Sequence, residues 1–561
     1  MRLPLLIAGC LPVFLFAVTW QAFGQNAANN PPVPGGGSVA EEIRALTESG
    51  IPSLMQRALD QVRQRNLSSG EFGRIMNAVN ITLFRRLYPD IHTQFPVLDP
   101  PQSHNYARIL RDIDRGVYSP PAASSTDYLE LTLPFLALLN ETRQNSLLPS
   151  LPDLRRAASL NPGAALAPLF MGMVHERTGN LDEAQAGYTT AARISEECYP
   201  ARLGLARIHG RRGDFEAAVR VLEDLIRSFP DNFAVKRQLA LAYYQKQDWS
   251  RAQAALTECL QQGEDGELLL MLAHSMVEQG RFLPAQRPLD QYSSINAQNP
   301  LYLFLRARVQ AEGLRNQDSA LNYLRSLIRA GGAAGNGAGD DALIYAARLF
   351  MESPRPDDRE EGRSLIRRLL EQGNPSPEVI RLAVRDSINS GDWQTARNRL
   401  APLLQGTPQN QDLLSAYAIE RGLGNNAAAL AYARDLYEKN PADDEGAAAY
   451  ISALIETGRQ AEAGRLIESR LAANISDAQK SRYYYLRSRI RTADDQIVAD
   501  LRASLFADPR NLSSMIAMFE FYHFRRPEKA RAVIYLRQAL AQDPGNAQLR
   551  RYAEEYPEVM N

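Results

Sequence analysis

The stretch Arg212–Asn232 reads RGDFEAAVRVLEDLIRSFPDN. It contains no histidine, no cysteine and no cluster of groups suited to chemistry. Yet its Gly213, Phe215, Ala218, Leu222 and Pro230 stand at spacings that recur along the chain. The pattern Gly-x-aromatic-x-x-Ala aligns GNLDEA, GDFEAA, QDWSRA, GRFLPA, GDWQTA, GNNAAA and GRQAEA, ending at Ala184, Ala218, Ala252, Ala285, Ala396, Ala429 and Ala463. Ser150, Ala320, Gly362, Ile497 and Ala532 are weaker anchors of the same series. Successive anchors lie 33–35 residues apart, except for 42 between Ala320 and Gly362. That longer interval holds GGAAGNGAGD, Gly331–Asp340, which reads as an inserted flexible loop.

Such a period means stacked supersecondary units, each burying its apolar face against its neighbours. The residue types fit a helix–turn–helix. Pairs such as Leu205-Ala206 and Leu239-Ala240 place a small side chain where a second helix must approach. Gly179, Gly213, Gly280 and Gly391 end the first helix in a left-handed conformation that is cheap for glycine. Phe215, Trp249, Phe282 and Trp393 follow and are expected to cover the turn. The anchor alanine begins the contact face of the second helix. Pro230, Pro408, Pro441, Pro509 and Pro544 close second helices.

These residues resemble the tetratricopeptide repeat, a helix–turn–helix unit of 34 residues. The resemblance covers about twelve units between roughly 131 and 546. It implies an all-α, right-handed solenoid whose first helices line a concave groove. It also implies binding of protein or peptide partners in that groove, without naming one.

The expected organisation is a signal peptide at 1–24, a flexible linker at 25–39 and a helical segment at 40–125. The array follows at 126–330 and 341–546 around the loop at 331–340, with a capping helix at 547–561. In the helical segment, Ile43, Leu46, Leu54 and Ala58, then Ile75, Val79, Phe84 and Leu87, have helical spacing. The N-terminus has a basic Arg2, an apolar run Leu3–Trp20 and a small-x-small exit at Ala22-Phe23-Gly24. That pattern predicts export with cleavage at Gly24–Gln25. Two other readings stay open: LIAGC at Leu6–Cys10 resembles a lipobox, and the run reaches membrane-spanning length. Membrane contact is expected only through such an uncleaved or lipidated N-terminus. Lysine occurs only at Lys236, Lys246, Lys439, Lys480 and Lys529, so arginine carries nearly all positive charge. That bias favours a GC-rich bacterial source, and with the export pattern the expected location is periplasmic or cell-envelope associated.

The 561 residues carry a net charge of −1, with 45% hydrophobic and 23% charged residues, so no nucleic-acid partner is expected. No metal or cofactor is expected either. His175 and His209 lie one repeat apart but lack further ligands, so they read as packing residues where Tyr243 stands in the next repeat. Cys198 and Cys259 are placed in second helices one whole repeat apart, too far for a disulfide. No nucleophile–base motif occurs, and the chain reads as non-enzymatic.

The groove supplies the candidate partner-binding residues: Arg207, Arg211 and Arg237, then Arg381 and Arg385 one turn apart. Guanidinium groups there suit carboxylates or anionic sugars. The first expectation is therefore a cell-envelope scaffold for protein segments. The alternative is an accessory of exopolysaccharide or glycan secretion that meets an anionic polysaccharide. Leu169, Phe170, Tyr244, Leu270, Phe521 and Phe524 are further groove candidates, suited to an amphipathic helix if exposed.

Overall fold

A computed structural model describes residues 38–91, 95–102, 104–141, 143–330, 339–371 and 375–556. The expected signal peptide and almost all of the linker lie outside the described residues, as do 331–338 of the glycine-rich loop. Among the described residues every regular element is helical.

Four helices open the fold: α1 (Val39–Glu48), α2 (Pro52–Gln64), α3 (Glu71–Leu87) and α4 (Asn105–Arg115). Their spaced apolar residues, from Ile43 to Leu87, are buried as the pattern requires. The first repeat is irregular. Its first helix is α5 (Tyr128–Thr132) continued by a 3-10 turn over Leu133–Leu138, where Pro134 removes a donor. Short α6 (Gln144–Leu147) and a 3-10 turn then lead into α7 (Leu151–Leu160).

Regular pairs follow: α8 (Leu166–Arg177) with α9 (Leu181–Ile194), α10 (Tyr199–Arg211) with α11 (Phe215–Ser228), and α12 (Phe233–Gln245) with α13 (Trp249–Leu260). Next come α14 (Gly266–Glu278) with α15 (Phe282–Asn296), α16 (Pro300–Arg308) with α17 (Gln317–Arg329), and α18 (Gly339–Met351) with α19 (Pro356–Leu370). Then α20 (Pro377–Asn389) pairs with α21 (Trp393–Gln405), α22 (Asn410–Gly422) with α23 (Asn426–Lys439), and α24 (Asp444–Glu456) with α25 (Gln460–Ala472). The last pairs are α26 (Asp477–Ser488) with α27 (Asp494–Ala507) and α28 (Leu512–Glu520) with α29 (Lys529–Gln542), before α30 (Ala547–Glu555). Every anchor of the series stands in a second helix, or at its lead-in for Ser150, and every one is buried. The alanines do so because an axis separation of about 8–10 Å leaves no room for a larger side chain.

The turns show what the pattern demands and what can replace it. Gly213 has φ +79°, and the equivalent glycines are also left-handed. Gln247 and Arg315 adopt the same conformation at φ +61° and +56°, without glycine's freedom. Pro527 cannot, since its ring fixes φ negative. There the first helix widens into a π turn at Phe521–Arg525, as another does at Val309–Gly313 before Arg315.

Some expectations need correction. Cys198 precedes α10, a first helix, instead of lying in a second helix; it and Cys259 are buried free thiols. The turn aromatics reach forward into the next repeat. A Cβ on Gly422 would overlap the Trp393 indole, and one on Gly313 would overlap Phe282. Leu169, Phe170, Leu270 and Phe521 are core residues, whereas Tyr244 is half-buried and Phe524 is exposed. Gly339 and Asp340 belong to α18, not to a loop.

The chain forms two compact units, Met1–Ala320 and Leu321–Asn561. In the first, one continuous core runs from Ile43 to Leu272. The N-terminal helices share it by packing on the links that join each second helix to the next first helix. Ala165 N–H donates to the Ser49 carbonyl (2.9 Å), and Ser53 N–H to Glu197 (2.9 Å). Asn232, which caps α12, donates to Asp90 (2.9 Å). Within this unit α8, α10 and α12 touch in succession, and α14 touches α16. Open grooves separate α7 from α9 and α9 from α11. The first helices therefore form the tight layer, and the second helices fan apart.

Candidate functional site

The first-helix face is built around a buried tyrosine. Gly172 in α8 and Gly204 in α10 leave the space that the Tyr188 ring fills, since a Cβ at either position would overlap it. Thus seated, Tyr188 is fully buried and its hydroxyl donates to Glu176 at 2.5 Å. Glu176 lies in the last turn of α8, where the carbonyl end of a helix disfavours negative charge. Arg207 answers with a bidentate pair: Nε to Oε1 at 2.8 Å and Nη2 to Oε2 at 2.7 Å. Arg211 donates Nη1 to the Glu176 carbonyl at 2.8 Å and keeps half its side chain in solvent. Arg177, one residue on, donates to the carbonyls of Leu138, Leu139 and Glu141.

Burial alone would raise the Glu176 carboxyl. The Arg207 hydrogen bonds and charge, the Tyr188 hydroxyl and the Arg211 charge outweigh it and hold the group below its ordinary value. Burial alone would likewise lower Arg207, and Glu176 reverses that. Two guanidinium groups thus meet one carboxylate, leaving an excess of positive charge beside it.

Beside the cluster, between α10 and α12, lies a pocket of about 220 Å³. Arg207 and Arg211 line one wall, Gln238 and Gln245 the other, and Ala218 with Leu222 from α11 form the floor. Gly210 and Ala242 keep it open. Among the described residues neither glutamine makes a side-chain hydrogen bond within the chain, and Gln245 is exposed.

The other sequence candidates stand apart. Arg237 turns forward to Asp265 (3.3 Å) and Glu267 (2.8 Å) at the start of α14. Arg381, in the second unit, pairs with Asp412 through Nε and Nη2 at 2.8 and 3.0 Å. Arg385 is exposed and forms no ion pair among the described residues. Sequence reasoning missed Glu176, Tyr188 and the mid-helix glycines. It also missed an aromatic cluster in which the Tyr244 hydroxyl lies 2.6 Å from His274 Nδ1, with Trp249 against both rings. A glycine inside a helical pattern was the available signal for Gly172 and Gly204. Among the described residues no group of three His, Cys, Asp or Glu could hold a metal ion.

A tetratricopeptide repeat family model matches residues 203–267, which span α10 to α13. The same helix pair recurs at every anchor on either side. Residues 203–267 are thus tetratricopeptide repeats, and the helix pairs on either side repeat the same kind of unit. No curated protein matches this chain in sequence. Solved structures similar to it include Pseudomonas aeruginosa pilF, at 20% identity and TM-score 0.31, covering 36% of this chain and 89% of that one. Yeast Tom70 is similar at 11% identity and TM-score 0.33, covering 76% and 95%. The Cut9–Hcn1 assembly of APC/C is similar at 13% identity and TM-score 0.33, covering 76% and 96%. A tetratricopeptide fold suggests a protein-interaction scaffold.

Proposed function

We propose that the chain is a non-catalytic scaffold of the bacterial cell envelope that takes extended protein segments on its first-helix face, centred on α10 and α12. The observation that carries this is the pocket itself. Solvent-accessible amide groups of Gln238 and Gln245 can meet peptide backbone groups, and half-exposed Arg211 offers charge-assisted donors beside them. Its small volume suits one short side chain at a time, so affinity comes from many shallow contacts along the face. The envelope location rests on the N-terminal export pattern.

The anionic-polysaccharide reading has less to stand on. Arg207, Arg237 and Arg381 each face a carboxylate of the chain itself.

A photo-crosslinking residue at Leu241, in the pocket wall, tests the scaffold. Irradiation of living cells should yield discrete protein adducts, and Gln238→Ala with Gln245→Ala should weaken them. Adducts to glycan alone, or none, would sink the proposal. Mass spectrometry of the purified chain should find a mature N-terminus at Gln25.

A further inference from the structure

The opposite layer carries a feature the scaffold reading does not use. In successive repeats Pro168, Met171 and His175 correspond to Arg202, Leu205 and His209, then to Lys236, Leu239 and Tyr243, each 34 residues on. Pro168, Met171 and His175 floor the groove between α7 and α9, and Arg202 and Leu205 that between α9 and α11. In the third of these repeats the groove is filled. Tyr243 is buried, donates to Glu223 at 2.7 Å, and lies under the Arg251 guanidinium at 4.9 Å. Arg251 is in turn neutralised by Asp248 and Glu223.

In the first of these repeats the smaller His175 imidazole lines an open groove, and the groove of the next repeat is open as well. The cavity between α7 and α9 measures about 460 Å³ and the next, between α9 and α11, about 600 Å³. Both fall in the range of about 300–1,000 Å³ typical of ligand pockets, which the inner pocket does not reach. Arg193 lines both cavities, Arg155 the first and Arg202 the second, and among the described residues none of the three forms an ion pair. Glu183 on the rim of the first cavity is the one carboxylate lining it.

His175 supplies the second, independent observation. It lines the first cavity, is only 8% exposed, and its buried Nδ1 has no hydrogen-bond partner. A sealed N–H without an acceptor costs more than a sealed lone pair. The favoured tautomer therefore carries its proton on Nε2, the nitrogen His175 can offer to the cavity. Burial pushes the imidazole pKa below its ordinary value, so the ring is neutral near pH 7 and acts as a donor there.

We propose that the outer groove between α7 and α9 is a second ligand site, which receives an acidic side chain of an extended partner segment. The Nε2–H of His175 and the guanidinium groups of Arg155 and Arg193 hold the carboxylate, over a floor of Met171, Pro168 and Gly187. The segment continues toward the second cavity, where Arg202 waits one repeat further on. This site is separate from the first-helix face and stands without it.

The test uses the full chain and fluorescein-labelled peptides, N-acetylated and C-amidated, of alternating serine and glutamate, or of serine and glutamine. Fluorescence anisotropy should show binding of the glutamate peptide and none of the glutamine peptide. Arg155→Ala with Arg193→Ala should weaken it about tenfold or more, as loss of charged hydrogen bonds implies. Both residues are exposed, so the double variant is expected to fold; unchanged circular dichroism checks this. His175→Phe should weaken it too, and Arg211→Ala should not. Equal binding of both peptides overturns the proposal. So does loss on Arg211→Ala with retention in the Arg155 and Arg193 variant, which would move the peptide to the inner face. A glutamine peptide that binds only when its C-terminus is free would also overturn it, by making the ligand a chain terminus.

Discussion

Glu176 in the first unit and Asp412 in the second are both buried carboxylates held by a bidentate arginine from the neighbouring first helix. They differ in where they sit on their own helices. Asp412 lies in the first turn of α22 and accepts the Gln409 N–H at 2.9 Å. The amide end of that helix already favours its charge. Glu176 lies in the last turn of α8, where the carbonyl end opposes its charge. One arginine suffices for Asp412, whereas Glu176 draws in Arg207, Arg211 and the Tyr188 hydroxyl. The same ion pair is thus a modest addition in one unit and a requirement in the other. That requirement concentrates guanidinium groups on the first-helix face.

The largest effect expected from this difference is that of Arg207→Ala. It strands a buried carboxylate against an unfavourable helix end. The loss should be about 3 kcal/mol, toward the lower end for a broken buried pair because a third of Arg207 is solvated. Arg381→Ala should cost about 1.5 kcal/mol, since Asp412 keeps the Gln409 amide and the helix end. Hydrogen exchange read separately over 166–211 and 377–422 measures each locally, which suits an array whose repeats depend on their neighbours. Equal losses would break the comparison.

Acid comes next. Both carboxyls titrate below their ordinary values of 4.5 and 3.8. A lowered folded value means that the stability each contributes is complete above its ordinary value. It is lost as pH falls through the folded value. Protonating Glu176 should cost less than losing Arg207, because the acid still accepts hydrogen bonds and no longer opposes its helix end. Glu176→Gln should flatten the acid loss of protection over α8–α10 and leave that over α20–α22 unchanged. If protection over α8–α10 falls as steeply in the Gln variant, Glu176 is not the titrating group.

Tyr188→Phe sharpens the comparison by removing one donor and little volume. A hydrogen bond to a charged group contributes about 1.5 kcal/mol. The ring still fills the space between Gly172 and Gly204, so the loss should be confined to the Glu176 cluster. Arg207→Ala and Tyr188→Phe together should then depart from additivity, since both act on one carboxylate. Strict additivity would show that the tyrosine acts through packing alone.

The fold was legible because packing imposes residue types at a fixed period. Ala218 and most of its equivalents are small, and the chain turns left-handed at Gly213 and its equivalents. Ion pairs between repeats follow no period: Glu176 and Arg207 are 31 residues apart, and so are Arg381 and Asp412, with the carboxylate first in one case and last in the other. Register therefore identified the first helices that carry Arg207, Arg237 and Arg381, but not the carboxylates that hold them. The outer grooves were hidden for a related reason. His175 reads as a packing residue, and it is buried as one. Only the structure shows that its Nδ1 has no partner and that the tyrosine's volume is missing beside it.

The smallest effect expected is that of Arg211→Ala, and it separates structure from function at the candidate site. Arg211 gives one hydrogen bond to a carbonyl, lies 3.7 Å from the Glu176 carboxylate, and is half-exposed. Its loss should cost about 0.5 kcal/mol, within the range of surface pairs. Arg385 is the matched control, exposed and without an ion pair among the described residues, so Arg385→Ala should change stability by a few tenths of a kcal/mol at most. If Arg211→Ala costs no more than Arg385→Ala yet weakens crosslinking at Leu241, Arg211 serves the partner and Arg207 alone serves the fold. If it instead approaches the Arg207→Ala loss, both arginines are held by Glu176. The first-helix pocket then retains only Gln238 and Gln245 to meet a partner.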